Sequence, residues 1–300
     1  MSRAKLQDRI RQGRLLLDGG MGTQLIARGV EVGTCNDALN LSSPDVIGAV
    51  HQSYLDAGSD AVITNTFGAN RYALARHGHA DEAHAINQAG AELAREAAGD
   101  ERYVLGDIGP TGDFLQPLGT LKPEDLRAAF TKQAQGLLAG GVDGFIVETM
   151  TALEELEIAV EAAQSVAGGL PVFASMSFDK GAGGFRTMMG VDVASAVAKM
   201  LVLDVDAVGF NCGTATLAEY IELAKEYAAA VRSEGKDIVL FAEPNAGKPE
   251  LVDGQAVYRV TPEEFVTAVE QIVAAGFNVV GGCCGTAPAY IDAMSRSLRP

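Results

Sequence analysis

The chain has no Trp, and aromatic residues make up only 6% of it. A cage of rings around a quaternary or sulfonium cation is hard to build from so few. Tyr54, Phe67, Tyr72 and Phe114 are the rings on offer. Histidine is also scarce. His51, His77, His79 and His84 all fall in helical stretches or at their ends and read as surface residues, so none is expected as a base or a metal ligand. Cysteine is limited to Cys35, Cys212, Cys283 and Cys284. So few in a long chain without a secretory signal do not make a disulfide framework. No apolar run approaches the roughly 20 residues needed to cross a bilayer. Basic residues number 23 against 39 acidic ones, a net charge of −16. Such a surface repels nucleic-acid phosphates and anionic membranes. These absences point to a cytoplasmic protein with no nucleic-acid or membrane partner, kept soluble by its acidity and suited to a partner with a basic docking face.

What is present is a regular alternation. Short apolar runs end in Gly, Asn, Asp or Pro, and amphipathic stretches follow them. Eight such runs are expected as strands: Arg14–Asp18, Ala61–Asn65, Val104–Ile108, Gly144–Glu148, Val172–Ser177, Ala207–Asn211, Ile238–Ala242 and Val279–Gly282. Their near-continuous apolarity suits parallel strands covered on both faces. Helix starts are marked by Ser43-Pro44, with Ser43 as the capping side chain, by Lys122-Pro123, by Thr261-Pro262 and by Ala287-Pro288. Residues 1–13 read as a short helical extension closing one side. The 300 residues, 48% hydrophobic, thus predict one (β/α)8 barrel in a single domain. An open nucleotide-binding sheet is disfavoured, because Gly19-Gly20-Met21-Gly22 lacks the required glycine spacing.

In such barrels the chemistry lies at the C-terminal strand ends. Cys212 ends the sixth strand and Cys283-Cys284 the eighth, so closure brings both to one rim. Three thiolates around Zn2+ leave a fourth position open, as a catalytic site requires. Neighbours on a regular strand point to opposite faces, so the vicinal pair needs a bend, and Gly281, Gly282 and Gly285 permit one. Three anionic sulfurs suit a metal that holds a substrate thiol as thiolate while leaving it electron-rich; His ligands would better activate water. Cys35 reads as a free thiol. Asp18 and Glu148 are acids at apolar strand ends, where a carboxylate needs a cation or strong donors. An amino acid's ammonium would serve, with its carboxylate on the Gly19 and Gly20 amides.

Taken together, Asp18-Gly-Gly-Met-Gly-Thr, Asn65-Thr-Phe-Gly, Gly106-Asp-Ile-Gly-Pro, Glu148-Thr, Gly209-Phe-Asn-Cys, Pro244-Asn-Ala-Gly and Gly281-Gly-Cys-Cys-Gly-Thr resemble the homocysteine S-methyltransferase family, in order and over nearly the whole chain. The resemblance implies that Cys212, Cys283 and Cys284 bind Zn2+. It implies that Asp18 and Glu148 contact the homocysteine ammonium, with Gly19, Gly20 and Thr66 near its carboxylate, and that Asn245 occupies the metal's vacant position when substrate is absent. The Gly-Asp-Ile-Gly-Pro-Thr-Gly and Glu-Pro-Asn-Ala-Gly-Lys-Pro stretches look most like the homocysteine module of cobalamin-dependent methionine synthase. Methylcobalamin, loaded from methyltetrahydrofolate, is then the expected methyl donor. Since the sequence stops at Pro300 without folate or cobalamin modules, the corrinoid is expected on another protein.

Other branches of the family use betaine or S-methylmethionine, and a demethylase component methylating a corrinoid protein is a further alternative. Outside the family, two readings compete: a phosphate-binding barrel with Gly281–Gly285 as an anion cradle, and a non-catalytic module that docks a corrinoid protein or stores zinc.

Overall fold

The computed structural model describes residues 3–252 and 255–299. Eight short strands form its main sheet: β1 (Leu15–Leu16), β2 (Ala61–Ile63), β3 (Tyr103–Ile108), β4 (Gly144–Met150), β5 (Val172–Met176), β6 (Ala207–Asn211), β7 (Val239–Glu243) and β8 (Val279–Val280). They run in the order β1-β8-β7-β6-β5-β4-β3-β2, and each neighbouring pair is parallel. Acidic side chains help close the seam between β1 and β2. Leu16 N donates to Asp60 Oδ2 and Ile63 N to Asp18 Oδ2, both at 3.0 Å. The main outer helices are α1 (Pro44–Asp56), α2 (Ala83–Ala98), α3 (Pro123–Ala139), α4 (Leu153–Ala167), α5 (Val193–Val202), α6 (Leu217–Ser233), α7 (Pro262–Ala274) and α8 (Pro288–Leu298). This is the expected single-domain (β/α)8 barrel. Two antiparallel strand pairs lie in its loops, 179–181 with 184–186 and 250–252 with 255–257.

The interior follows strand alternation. Leu15, Leu17, Ala61, Ile63, Tyr103, Leu105, Ile146, Phe173, Ala207, Val239, Phe241 and Val279 form one buried cluster inside the ring, with Phe173 and Phe241 centroids 5.5 Å apart. Leu6 and Ile10 belong to the same cluster, so the N-terminal helical turn (Leu6–Arg9) plugs the barrel below β1. Large apolar side chains fill this space, which makes it a packed core and not a pore. Two residues beyond Ile63, Leu105, Ile146, Phe173 and Phe241 stand Asn65, Asp107, Glu148, Ser175 and Glu243, and the mouth begins there.

Several local expectations change. β1 and β8 are only two residues long. β4 runs past Glu148 to Met150 through a register shift. Pro44 opens α1, but the Ser43 side chain makes no capping bond; Thr261 instead forms a full capping box with Glu264. His51 is not a surface residue. It is fully buried in α1, on the stripe of Ile47, Val50, Tyr54 and Leu55, and burial lowers its pKa to about 4, which keeps it neutral. Its helical spacing from those residues overrode its polarity. Among the described residues, no helix is long and apolar enough to cross a membrane.

Candidate metal and substrate site

The three cysteines predicted from the strand ends meet. The sulfurs of Cys212, Cys283 and Cys284 all lie within 4.8 Å of one another. Cys212 follows β6 in a left-handed conformation, φ 54°, held by its own N–H to Glu243 O at 3.2 Å and by Tyr220 OH to its carbonyl at 2.6 Å. The vicinal pair leaves β8 through Gly281 and Gly282. Cys283 N donates to Pro244 O, and Ala246 N to Cys284 O, both at 3.0 Å. Gly285 ends the bend at φ 80°, with the Tyr258 ring 2.2 Å from where a Cβ would sit. Tetrahedral Zn–S bonds of about 2.3 Å put sulfurs about 3.8 Å apart, so the cluster needs only small adjustments to hold such an ion.

A second observation fits a cation here. Asn245 Nδ2 donates to Gly213 O at 2.6 Å and lies 3.9 Å from Cys212 Sγ, while its Oδ1 is buried without a partner. Asn245 thus brings a buried amide with one unpaired oxygen next to Cys212. Hydrogen bonds from Cys212 and Cys283 hold the Cys284 sulfur down at about 3, while hydrogen bonding with Cys212 and Cys284 pushes Cys283 well up.

Beside the sulfurs is a layer of buried acids: Asp18, Asp107, Glu148 and Glu243. Among the described residues no Lys, Arg or His lies within ion-pairing distance of any of them. Burial is the main cause that pushes Asp18, Asp107 and Glu243 well above the carboxylate range and Glu148 to about 7. Glu148 accepts from Asn211 Nδ2 and, at 3.1 Å, from Thr149 Oγ1. Asp107 Oδ1 and Glu243 Oε2 have no partner. Sequence reasoning singled out Asp18 and Glu148 but missed Asp107 and Glu243. The signal was alternation, since each lies two positions beyond an interior residue, Leu105 and Phe241. Tyr258, whose ring packs against Gly285 next to Cys284, was also missed, because nothing local connects it to the sulfurs.

The residues expected near a substrate carboxylate differ in their freedom. Gly19 N has no acceptor among the described residues, whereas Gly20 N donates to Thr286 Oγ1 at 3.1 Å. Gly20 must be glycine for space, since a Cβ there would lie 2.7 Å from Cys283 O. Thr66 is fully buried, and its hydroxyl bonds Thr64 Oγ1 and Asp107 O at 2.6 and 2.9 Å. It supports the end of β3 from behind. A cavity of about 330 Å³ flanks the site, lined by Phe114, Leu118, Thr149, Met188 and neighbours. Thr149 joins it to Glu148. Of the four aromatics available for a cation cage, only Phe114 lines it. Tyr54 is fully buried and bonds Gly20 O and Thr286 O at 3.1 and 3.2 Å.

The glycine run is no anion cradle. The N–H groups of Gly281, Gly282, Cys283 and Gly285 donate to Ala242 O, Asp18 O, Pro244 O and Thr23 Oγ1, so the four are already engaged within the fold.

The family model of homocysteine S-methyltransferase matches residues 15–298. The chain belongs to that family. Its relatives include the methionine synthase of Mycobacterium tuberculosis, 36% identical over 98% of this chain and 25% of the relative, and that of Mycobacterium leprae, 35% identical over the same shares. The chain spans about a quarter of the length of these curated relatives. Among solved structures, the oxidized form of the Escherichia coli homocysteine methyltransferase MmuM aligns with a TM-score of 0.76 at 25% identity, covering 97% of this chain and 98% of that one. Its metallated form shares the fold, with a TM-score of 0.77 at 24% identity over 98% and 99%. The sulfur cluster of this homocysteine S-methyltransferase-family barrel lies where its fold puts chemistry, at the C-terminal rim.

Proposed function

We propose that the chain binds one Zn2+ through Cys212, Cys283 and Cys284 and transfers a methyl group to the thiolate of homocysteine, forming methionine. The observation that carries this reading is the approach of the three sulfurs to within 4.8 Å of one another, beside buried acids that have no protein cation. When bound, the metal supplies a Lewis acid that keeps the substrate thiol deprotonated at neutral pH. Asp18 and Glu148 receive the substrate ammonium, and the Gly19 and Gly20 backbone, with Thr66 behind it, shapes the carboxylate end. Asn245, whose Oδ1 is buried without a partner, would be the further group available to the metal beside the three sulfurs. The thiolate then attacks the donor methyl in line. The S–C bond forms as the donor–methyl bond breaks, and the bonding pair stays with the donor. No side-chain base is needed, which agrees with the lack of a nearby His.

The donor we propose is methylcobalamin, carried by a corrinoid protein or domain and recharged from methyltetrahydrofolate. The flanking cavity supports it, for it is mainly apolar and two of its three acids are engaged: Glu155 accepts from Thr111 N at 2.8 Å and Asp113 pairs with Arg76 at 3.3 Å, while Glu154 is exposed. A single lining aromatic counts against betaine or S-methylmethionine, whose cationic groups favour several rings. The reaction belongs in the cytoplasm, where thiols stay reduced, and involves neither nucleic acid nor membrane. The test is a donor screen of methylcobalamin, betaine and S-methylmethionine against homocysteine, with zinc measured alongside. About one zinc per chain and turnover with methylcobalamin are expected. Zinc-free protein with full turnover would overturn the metal reading, and turnover only with a cationic donor would overturn the choice of donor.

A further inference from the structure

Asn211 is the last residue of β6 and precedes the ligand Cys212. It is 1% exposed, and its amide is bonded on both sides. Oδ1 accepts from Thr149 N and from Ser175 Oγ, each at 2.8 Å. Nδ2 donates to Glu148 Oε2 and, at 2.7 Å, to Thr149 Oγ1, and it lies 4.0 Å from Cys283 Sγ. The orientation has no alternative. Thr149 N–H can only donate, so the amide oxygen must face it and the NH2 must face the carboxylate and the sulfur. Thr149 and Cys212 are both non-glycine residues in the left-handed region, at φ 59° and 54°. Asn211 holds the first through its oxygen and is covalently joined to the second.

One side chain therefore connects the end of β4, which carries the ammonium-binding acid, with the end of β6, which carries a metal ligand. We propose that Asn211 is the positioning residue that fixes Glu148 at a set distance from the three sulfurs, so that the site selects thiols bearing an amino group at the matching distance over simple thiols. The inference rests on the homocysteine reading above and adds to it the device that sets amino-thiol specificity. Asn211 touches neither the transferred methyl nor, through a lone pair, the metal. Its effect runs through Glu148. Ser175, buried on β5, is its buttress.

The experiment is calorimetric binding of L-homocysteine, and of its des-amino analogue mercaptobutyrate, to the zinc-loaded chain. Both ligands offer a thiol and a carboxylate, and only the first offers an ammonium. Wild-type protein is expected to prefer homocysteine by at least about tenfold, the scale of a hydrogen-bonded charged contact. Asn211→Asp keeps the shape but replaces the two donors with acceptors that repel Glu148. It should reduce that preference by about tenfold, with zinc content and mercaptobutyrate affinity within about twofold of wild type. Ser175→Ala removes only the buttress and should lower the preference a few-fold, which decides the matter if Asn211→Asp does not fold. A preference retained in both variants, or a parallel loss of affinity for both thiols, would overturn the inference. If wild-type protein binds both thiols without preference, the positioning role falls while the metal site stands. If it binds neither, the substrate reading itself fails, and the inference with it.

Discussion

Replacing Glu148 with Gln tests the electrostatics of the mouth directly, because the substitution removes a charge and keeps the shape. Burial raises the pKa of Glu148 from 4.5 to about 7 in the folded protein without ligand. A carboxyl with a raised folded-state pKa holds its proton more tightly when folded than when unfolded. Its full stabilisation is therefore present below the unfolded pKa and is lost as pH rises toward the folded one. The window runs from about pH 4.5 to about 7. At about 1.4 kcal/mol per pH unit, the rise from 4.5 to about 7 makes the wild-type carboxylate cost about 3 kcal/mol above that window. Gln carries no such cost. It also removes the charge that helps hold Asp107 up, an effect of the same sign. Denaturant unfolding at pH 5, 6, 7 and 8, without homocysteine and at matched metal content, should show Glu148→Gln gaining stability relative to wild type as pH rises, by about 3 kcal/mol at pH 8. The same variant should bind homocysteine at least about tenfold more weakly, because the ammonium loses its anionic partner. Parallel stability curves across the pH range would refute the reasoning, since they would mean that Glu148 is solvated or already paired.

Other predictions concern the metal site and the fold around it. Cys212→Ala and Cys284→Ala should each reduce zinc from about one per chain to near zero by elemental analysis, with methyl transfer lost alongside. Gly285→Ala should be destabilised by about 2 kcal/mol or more in chemical denaturation: its φ of 80° suits glycine, and the Tyr258 ring lies 2.2 Å from the new Cβ. Asp60→Ala removes the acceptor of Leu16 N and the partner of Arg102 and Arg299, at 3.2 and 2.7 Å. It should lower stability by about 2 kcal/mol while zinc content is retained, because Asp60 precedes β2 and so lies at the end of the barrel opposite the sulfurs.

The alternation of strands and helices was legible because each barrel strand is buried on both sides and each outer helix on one, which writes distinct periods into the chain. The cysteines were legible because strand number converts to position around a closed barrel. His51 was misread although its spacing from Ile47, Val50 and Tyr54 was visible; polarity was weighed above periodicity. The Thr66 hydroxyl is engaged with Thr64 Oγ1 and Asp107 O, and the second of these is a contact between strands that local sequence does not display. Asp107, Glu243 and Asn211 stood in view as strand-end residues, but their convergence on one layer depends on strand stagger.

By itself the sequence determined the architecture, the end at which chemistry occurs and the three sulfurs, since these depend on residue type and on periodicity along the chain. The tertiary structure decided the rest: that the acids share one desolvated layer without a basic partner, that Asn245 keeps an orphaned oxygen, and that Asn211 joins two strand ends. Charge and hydrogen bonding act across space between residues that are distant in the chain. Their consequences exist only once closure of the barrel has excluded water from between them.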